Sequence, residues 1–355
     1  MKKEIVFYIP SIEGGGVEKN FFLLLKYLSK KLDRIYVVTA DKKKSNLKKI
    51  IYICPRSSKW EKKGRFTKNI ICIFLLIKNF WSKKSVILSF QSNISAIFIS
   101  KLFGFKILIR LNTSLNKYVN NIFKKIIFRT FYSLSDKIIV NSRLFQKELL
   151  GMNLKSYLIY NLIEPVKKKG NLKFFKGYNG LKILNIGRLT EQKDHLTLIK
   201  GLKILREKNV NFRCCIIGRG PCRGKVLEEI LNSDLREFVK LIGYKDNAEK
   251  FIHQSNIFVL SSKFEGLPNV LIEAQKYNTP VISSNCPTGP NEILLNGKLG
   301  DLFPVENYLM LSKKLFNFYK NNKQLKTKSK RAKKYLIRFD PIINSKKYFE
   351  LFFTK

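Results

Sequence analysis

The chain has 355 residues, which is long for a single hydrophobic core and predicts two domains. Hydrophobic residues make up 45% of it, which excludes a disordered chain. The 69 Lys and Arg residues against 25 Asp and Glu give a formal net charge of +44, which favours nucleic acid, an anionic membrane or a polyanionic substrate as a partner. Because Lys, Asn, Ile and Phe are abundant together, an AT-rich coding bias is an alternative explanation of this charge, and both explanations stay open.

The apolar runs are short. The longest, 70–77 and 94–99, fall well below the roughly 20 residues that span a bilayer, and the run 5–9 is too short for a signal peptide. The six cysteines form no Cys-x-x-Cys pair and no metal-ligand spacing with His195 or His253. We therefore expect a cytoplasmic protein without a metal, in which any membrane contact is peripheral.

The first half of the chain alternates short apolar runs with helical patterns. This alternation predicts a parallel α/β sheet in a first domain, residues 1–163. The predicted strands are 5–9, 35–38, 50–53, 86–88, 107–109 and 138–140, and the predicted helices are 17–29, 66–80, 93–103, 119–133 and 143–150.

A run of three glycines follows the first predicted strand and precedes the first predicted helix. The backbone N–H groups of Gly15 and Gly16 would there face the positive end of a helix, where a phosphate can approach closely. The run is neither a Walker A loop nor a Gly-x-Gly-x-x-Gly fingerprint, and a tight strand-to-helix turn is the alternative interpretation.

The alternation stops at a segment rich in Pro, Gly and charge, which predicts a linker over 164–180. It then resumes in a second domain, 181–340, which is followed by a helical segment, 341–355, that begins at a proline. The predicted strands of the second domain are 182–186, 213–217, 239–242, 257–260 and 280–283.

Two cations stand at the predicted carboxyl edge of the second sheet. Arg188 ends the first strand of this domain, and Lys193 precedes the next helix. Ligands of open α/β sheets bind at this edge, where a planar guanidinium and a compact ammonium can together neutralise a diphosphate. Two solvated surface cations are the alternative.

Three segments carry a family resemblance. Segment 187–194 reads Gly-Arg-Leu-Thr-Glu-Gln-Lys-Asp, segment 265–273 reads Glu-Gly-Leu-Pro-Asn-Val-Leu-Ile-Glu, and segment 286–293 reads Cys-Pro-Thr-Gly-Pro-Asn-Glu-Ile. The first two resemble the retaining GT-B glycosyltransferases of family 4, also called group 1, with their Glu-x7-Glu motif. The third is similar to the Cys-Pro-x-Gly-Pro-x-Glu-Ile subset that builds bacterial surface polysaccharides such as lipopolysaccharide.

The resemblance implies a GT-B fold, in which two Rossmann-like, doubly wound domains face a cleft. It implies that 1–163 is the acceptor domain, that 181–340 binds the nucleotide sugar, and that 341–355 packs back on the first domain. It further implies that Arg188, Lys193 and Glu265 are catalytic, and that Glu273 binds the ribose. The other donor-binding residues that it implies are Gly15, Gly16, Gly187, Gly218, Gly243, Gly266, Leu267 and Asn269.

Two departures from common patterns bear on the mechanism. Many members of the family carry a His at the end of a central strand of the first domain, where this chain has Arg110 and Asn112 as candidates for the acceptor or sugar side. Neither is a good general base, which suits a same-face mechanism in which the leaving phosphate takes the acceptor proton. The chain contains no Asp-x-Asp, so a metal-bound diphosphate is not expected.

The sequence thus predicts a retaining, metal-independent hexosyltransferase or N-acetylhexosaminyltransferase. Its expected donor is a UDP-sugar, its acceptor is lipid-linked or a polysaccharide, and it uses no further cofactor. We expect no nucleic-acid partner but a peripheral position on the inner face of the cell membrane, through the basic and aromatic stretches 62–66 and 116–129. The alternatives are a non-enzymatic protein that binds nucleic acid or anionic membrane, and a nucleotide-sugar epimerase of the same fold.

Overall fold

The computed structural model describes residues 4–42, 47–81, 85–113, 121–164, 170–246 and 248–353. Contacts divide the chain into two compact units. The first domain consists of Met1–Ile163 and Phe339–Lys355, and the second consists of Glu164–Arg338. Three predicted segments lie partly outside the described residues. These parts are 165–169 of the linker, 116–120 of the membrane stretch and the last two residues of the segment 341–355.

The first domain is built on a seven-stranded parallel sheet with the strand order β3-β2-β1-β4-β5-β6-β7. Its strands are β1 (Glu4–Tyr8), β2 (Arg34–Val38), β3 (Ile50–Ile53), β4 (Val86–Ser89), β5 (Lys106–Leu111), β6 (Lys137–Val140) and β7 (Ser156–Leu158). Its helices are α1 (Gly16–Leu28), α2 (Arg65–Phe80), α3 (Asn93–Leu102), α4 (Ile122–Ser133), α5 (Arg143–Leu150) and α12 (Pro341–Phe353).

Helices cover both faces of this sheet, which explains why its strands are continuous apolar runs. Helices α2 to α5 pack on one face. Helices α1 and α12 pack on the other, where Tyr348 and Phe352 of α12 are buried beside Phe7 of β1. Helix α12 is thus part of the core of the first domain.

The second domain is built on a six-stranded parallel sheet with the order β10-β9-β8-β11-β12-β13. Its strands are β8 (Leu181–Ile186), β9 (Phe212–Ile217), β10 (Val239–Gly243), β11 (Ile257–Leu260), β12 (Val281–Ser284) and β13 (Asp301–Phe303). Its helices are α6 (His195–Glu207), α7 (Arg223–Asn232), α8 (Asn269–Lys276), α9 (Pro290–Ile293), α10 (Tyr308–Lys320) and α11 (Lys323–Tyr335).

Both sheets run outward from a central pair of strands, β1 beside β4 and β8 beside β11, at which the strand order reverses. Loops that leave such a pair diverge and open a crevice at the carboxyl edge. The predicted parallel α/β architecture is confirmed. The short edge strands β7 and β13 were not predicted. Within the described residues, no helix is both long enough and apolar enough to cross a bilayer.

Candidate active site

Glu265 and Glu273 lie on either side of the junction between β11 and α8. The strand ends at Leu260, and the helix begins at Asn269 behind Pro268, whose fixed φ suits a helix start. Glu265 is in the intervening turn, and Glu273 is in the second turn of α8. Both carboxylates are buried. The structure therefore holds the two acids in defined places beside the point at which the strand order reverses.

Lys193 and Glu265 form a buried ion pair. Lys193 Nζ lies 2.5 Å from Glu265 Oε1, and the two side chains are 14% and 7% exposed. The hydroxyl of Ser262 donates to the same carboxylate oxygen over 2.6 Å. Arg188, which follows β8, is exposed and forms no ion pair with any described residue. The structure thus brings Lys193 and Glu265 together and leaves the Arg188 guanidinium open to solvent at the same edge of the sheet.

Side chains outside the predicted set hold this turn in place. The Gln192 amide donates to the carbonyl of Phe264 over 2.9 Å, and the carbonyl of Gln192 accepts from the N–H of Lys263 over 2.9 Å. The hydroxyl of Thr288 donates to the carbonyl of Glu265. Sequence reasoning assigned no role to Gln192, Ser262 or Thr288. Gln192 and Thr288 could have been identified from the sequence, because both lie inside segments that carry the family resemblance.

Two glycine contacts join the segments of the site. A Cβ added at Gly218 would lie 1.8 Å from the carbonyl oxygen of Gly187. A Cβ added at Gly289 would lie 2.2 Å from the carbonyl oxygen of Gly266, and Gly289 also has a φ of +84°. Only glycine permits these approaches. The loop after β9 therefore packs directly on the segment that carries Arg188, and the loop after β12 packs on the turn that carries Glu265.

Several N–H groups of the predicted donor site are already used within the domain. The N–H of Gly187 donates to the carbonyl of Ile217, and the N–H of Gly218 donates to the carbonyl of Gly243, each over 3.0 Å. Gly243 ends β10 with a φ of +76°. Leu267, just before α8, and Asn269, its first residue, are both buried. The packing of backbone on backbone explains the glycine at position 218, whereas a Cβ at Gly187 would meet the Lys193 side chain. A role of both glycines in donor binding stays a prediction.

The glycine run of the first domain forms the start of α1. The N–H of Gly15 donates to Glu18 Oε2 over 2.8 Å. The Glu18 carboxylate thus occupies the place at the helix N-terminus where the sequence predicted room for a phosphate, and Gly16 is the first residue of the helix. An anion at this loop would have to displace the carboxylate of Glu18.

Arg110 and Asn112 bind groups of their own domain. Arg110 on β5 is 1% exposed, its Nη2 donates to Asn161 Oδ1 over 2.5 Å, and its guanidinium lies 5.0 Å from the centre of the Phe90 ring. Burial lowers the pKa of Arg110. Asn112 donates to the carbonyl of Phe90 over 2.9 Å. The structure therefore places the Arg110 side chain in the interior, and its role on the sugar side stays a prediction.

His195 is the first residue of α6 and follows Lys193 by two positions. Its Nε2 lies 3.1 Å from Asn185 Oδ1. Because the Asn185 amide nitrogen donates to the carbonyl of Val259, its oxygen is left to accept from the imidazole. Burial, with a smaller contribution from Lys193, lowers the pKa of His195 to about 4. The imidazole is thus neutral at pH 7 and is held by Asn185 in the interior of the second domain.

The His195 imidazole is expected to make the stability of the protein depend on pH. Since the folded-state pKa lies below the ordinary value of 6.5, the unfolded chain binds the proton first as the pH falls, and stability decreases between about 6.5 and 4. Between pH 7 and pH 5 this group is expected to cost about 2 kcal/mol. Urea unfolding at the two pH values should show a smaller loss in His195→Gln. The control His253→Gln should retain the full loss, and an equal loss in both variants would contradict the assignment.

The comparisons with known proteins agree with this geometry. Residues 171–335 match the family described as "Glycosyl transferases group 1". This match lies within the second domain and includes Arg188, Lys193 and Glu265.

Two relatives illustrate how far the similarity extends. The chain is 36% identical over 197 residues to an uncharacterized glycosyltransferase of Methanocaldococcus jannaschii, with 52% of this chain and 48% of that protein covered. It is 24% identical over 358 residues to the N-acetylgalactosamine-N,N'-diacetylbacillosaminyl-diphospho-undecaprenol 4-alpha-N-acetylgalactosaminyltransferase of Campylobacter jejuni, with 94% and 95% covered. The chain spans about half the length of several curated relatives that it matches.

The similarity in fold extends over both domains. The crystal structure of HepE from Anabaena, solved in complex with UDP and glucose, matches with a TM-score of 0.80 at 14% identity. The match covers 98% of this chain and 99% of that chain. The predicted GT-B class, with two Rossmann-like domains, is confirmed.

Proposed function

We propose that the protein is a retaining glycosyltransferase that moves a hexosyl or N-acetylhexosaminyl group from a UDP-sugar to a lipid-linked or polysaccharide acceptor in cell-surface glycan synthesis. The observation that carries the proposal is the ion pair between Lys193 and Glu265, at the sheet edge that also carries Arg188 and within the residues that match the group 1 family. A relative that is named for transfer to a diphospho-undecaprenol saccharide and a fold relative solved with UDP and glucose support it. Neither comparison favours the epimerase or the nucleic-acid-binding alternative.

The residues of the site suit the departure of a nucleoside diphosphate. Arg188 and Lys193 stabilise the negative charge that grows on the leaving phosphate, and Glu265 accepts hydrogen bonds from hydroxyls of the donor sugar. In the retaining reaction, the bond from the anomeric carbon to the phosphate oxygen breaks, and the acceptor oxygen bonds to the same face of that carbon. The acceptor proton passes to the departing phosphate. Two protein cations supply the charge that this mechanism needs, which is why we include metal independence in the proposal.

A screen of nucleotide sugars by thermal shift tests the donor class. A ligand that binds only the folded protein stabilises it by RT ln(1 + L/Kd), where L is the free ligand concentration, so at equal concentration the tighter ligand raises Tm more. UDP and the matching UDP-sugar should therefore raise Tm, and other nucleoside diphosphates should raise it less. If no nucleoside diphosphate or nucleotide sugar shifts Tm at millimolar concentration, the proposal fails.

Glu273 is expected to act on the nucleoside rather than on the sugar. Its carboxylate lies in the second turn of α8, eight residues after Glu265, and a carboxylate can accept from both ribose hydroxyls. Glu273→Gln should therefore weaken the binding of free UDP at least fivefold in isothermal titration calorimetry. Gln275→Ala, which changes the neighbouring buried amide, is the control. Unchanged UDP affinity in Glu273→Gln would remove the ribose assignment.

We further propose that the enzyme is cytoplasmic and that the outer faces of α2, α3 and α4 dock on an anionic membrane. These three helices contain no Asp or Glu, and they pack side by side on one face of the first sheet. Their outward apolar side chains are exposed, with Phe66 at 78% and Ile122 at 73%. The other exposed members are Ile70, Phe74, Ile94, Phe98, Leu102, Phe123, Ile126 and Ile127. Three cations of these helices, Arg65, Lys68 and Lys101, are paired with Glu13, Asp41 and Asp136. Apolar groups that can enter the interface beside the exposed cations Lys78, Lys125 and Arg129 suit an anionic leaflet.

Flotation with liposomes tests this surface. The protein should float with vesicles that contain phosphatidylglycerol and much less with phosphatidylcholine alone, and salt should weaken the binding because each cation adds at most about 1 kcal/mol. The double variant Phe123→Ser, Ile126→Ser should reduce the bound fraction at least fivefold.

The matched control carries Leu231→Ser and Leu309→Ser, which change exposed apolar residues of the second domain. Equal flotation with neutral and anionic vesicles would overturn the proposal. A wild-type dimer that is lost in the double variant of α4 would assign the surface to a second copy of the chain instead.

A further inference from the structure

The ion pair between Lys193 and Glu265 joins two groups that have separate tasks in the proposed function. Lys193 is assigned to the diphosphate and Glu265 to the sugar, yet their charged atoms lie 2.5 Å apart. The ammonium group is therefore not a free cation, because the carboxylate already neutralises it. Any diphosphate that reaches Lys193 must compete with Glu265 or share the ammonium with it.

The surroundings hold both partners in this arrangement. The Lys193 side chain lies along the backbone of Gly187, where an added Cβ would come within 3.4 Å of Lys193 Cδ. Ser262 donates to the paired oxygen of Glu265 over 2.6 Å, and Thr288 donates to the Glu265 carbonyl. In an ion pair that is mostly shielded from water, a charge that loses its partner is poorly solvated, so breaking the pair costs more than breaking a surface pair. Competition for Lys193 is therefore large enough to influence ligand affinity.

The competition affects donor and product differently. When a UDP-sugar is bound, Glu265 has the sugar hydroxyls as hydrogen-bond donors and gains a contact for each one. When only UDP is bound, these donors are gone, and the carboxylate has Lys193 as its partner beside a ligand that is itself negative. The same residue thus strengthens the binding of the donor and weakens the binding of the product.

We propose that Glu265 is the residue that discriminates the sugar donor from the nucleoside diphosphate product, and that it promotes product release by competing for Lys193. The proposal rests on the function proposed above. Arg188, which is exposed and forms no ion pair in the described part of the chain, retains its charge for the diphosphate throughout. Lys193 is the cation whose availability changes with the presence of the sugar.

Titration calorimetry with UDP and with the UDP-sugar that gives the largest thermal shift tests the proposal on four proteins: wild type, Glu265→Gln, Lys193→Ala and the double variant. Glu265→Gln should bind UDP at least fivefold more tightly than wild type. The ratio of UDP-sugar affinity to UDP affinity should fall at least tenfold. In the Lys193→Ala background, Glu265→Gln should change UDP affinity less than twofold, because the competition requires the ammonium.

Unchanged or weaker UDP binding by Glu265→Gln would overturn the inference. So would an equal gain with and without Lys193, which would indicate a general effect of removing one negative charge. Should Glu265→Gln fail to fold, Glu265→Ala must change UDP affinity in the same direction. If wild type binds no nucleoside diphosphate, the proposed function itself fails, whereas wild-type binding without the predicted coupling removes only the role of Glu265 in product release.

Discussion

Arg188→Ala is expected to lower kcat/KM for sugar transfer at least about 30-fold, which corresponds to about 2 kcal/mol of lost transition-state stabilisation. The physical reason is that the exposed Arg188 guanidinium forms no ion pair within the described residues, so it can meet the growing charge of the leaving phosphate without first losing a partner. The measurement is steady-state transfer with the donor that the thermal-shift screen identifies.

Arg236→Ala is the matched control for this prediction. Arg236 is also an exposed arginine of the second domain, but it lies between the end of α7 and the start of β10, at the edge of the sheet opposite to the site segments. It should leave kcat/KM within twofold of wild type. Turnover of Arg188→Ala within the same twofold range would remove Arg188 from the catalytic residues.

Gly218→Ala is expected to destabilise the second domain by about 3 kcal/mol or more. The new methyl group would lie 1.8 Å from the Gly187 carbonyl oxygen, and backbone atoms on both sides leave no flexible side chain to move aside. Thermal unfolding should show a decrease in Tm of roughly 6–12 °C. UDP affinity should fall as well, because the displaced backbone carries Arg188.

Gly224→Ala is the matched control, because it is the same substitution at a glycine where we expect no loss of stability. Gly224 lies in α7, and a Cβ added there meets no atom within 4 Å. Since alanine is favoured over glycine in helices, this variant should leave Tm unchanged or raise the stability by up to about 1 kcal/mol. A Tm of Gly218→Ala equal to that of Gly224→Ala would show that the backbone approach at Gly187 is not required.

The sequence was sufficient for the central strands and helices because each of them buries an apolar run or stripe. The strand predicted at 257–260 coincides with β11 (Ile257–Leu260), which is buried along its whole length. The missed strand β7 (Ser156–Leu158) is only half-buried, and β13 (Asp301–Phe303) begins with a charged residue. Three-residue edge strands depend on a neighbour to pair with, and a local pattern does not reveal that neighbour.

The side-chain partners of the site were harder to predict than its position. The motifs predicted that Lys193 and Glu265 belong to one site, but the pairing of the two depends on how the loops after β8 and β11 meet. The position of Arg110 at a strand end suggested a side chain that is open to a ligand. The Arg110 side chain is instead buried against Asn161 and Phe90, which come from other segments of the chain. The hydrogen bond from Gly15 to Glu18 could have been predicted from the sequence, because a Glu three residues after the N-cap commonly accepts from the N-cap N–H.

The place of α12 in the first domain has a consequence for how the chain folds during synthesis. The second domain, Glu164–Arg338, is a continuous segment and can complete its core as soon as it has left the ribosome. The first domain is translated earlier, but its core includes Tyr348 and Phe352, which are buried against α1 and β1. We therefore expect the domain that is made first to mature last. Until then it exposes an apolar surface that chaperones recognise.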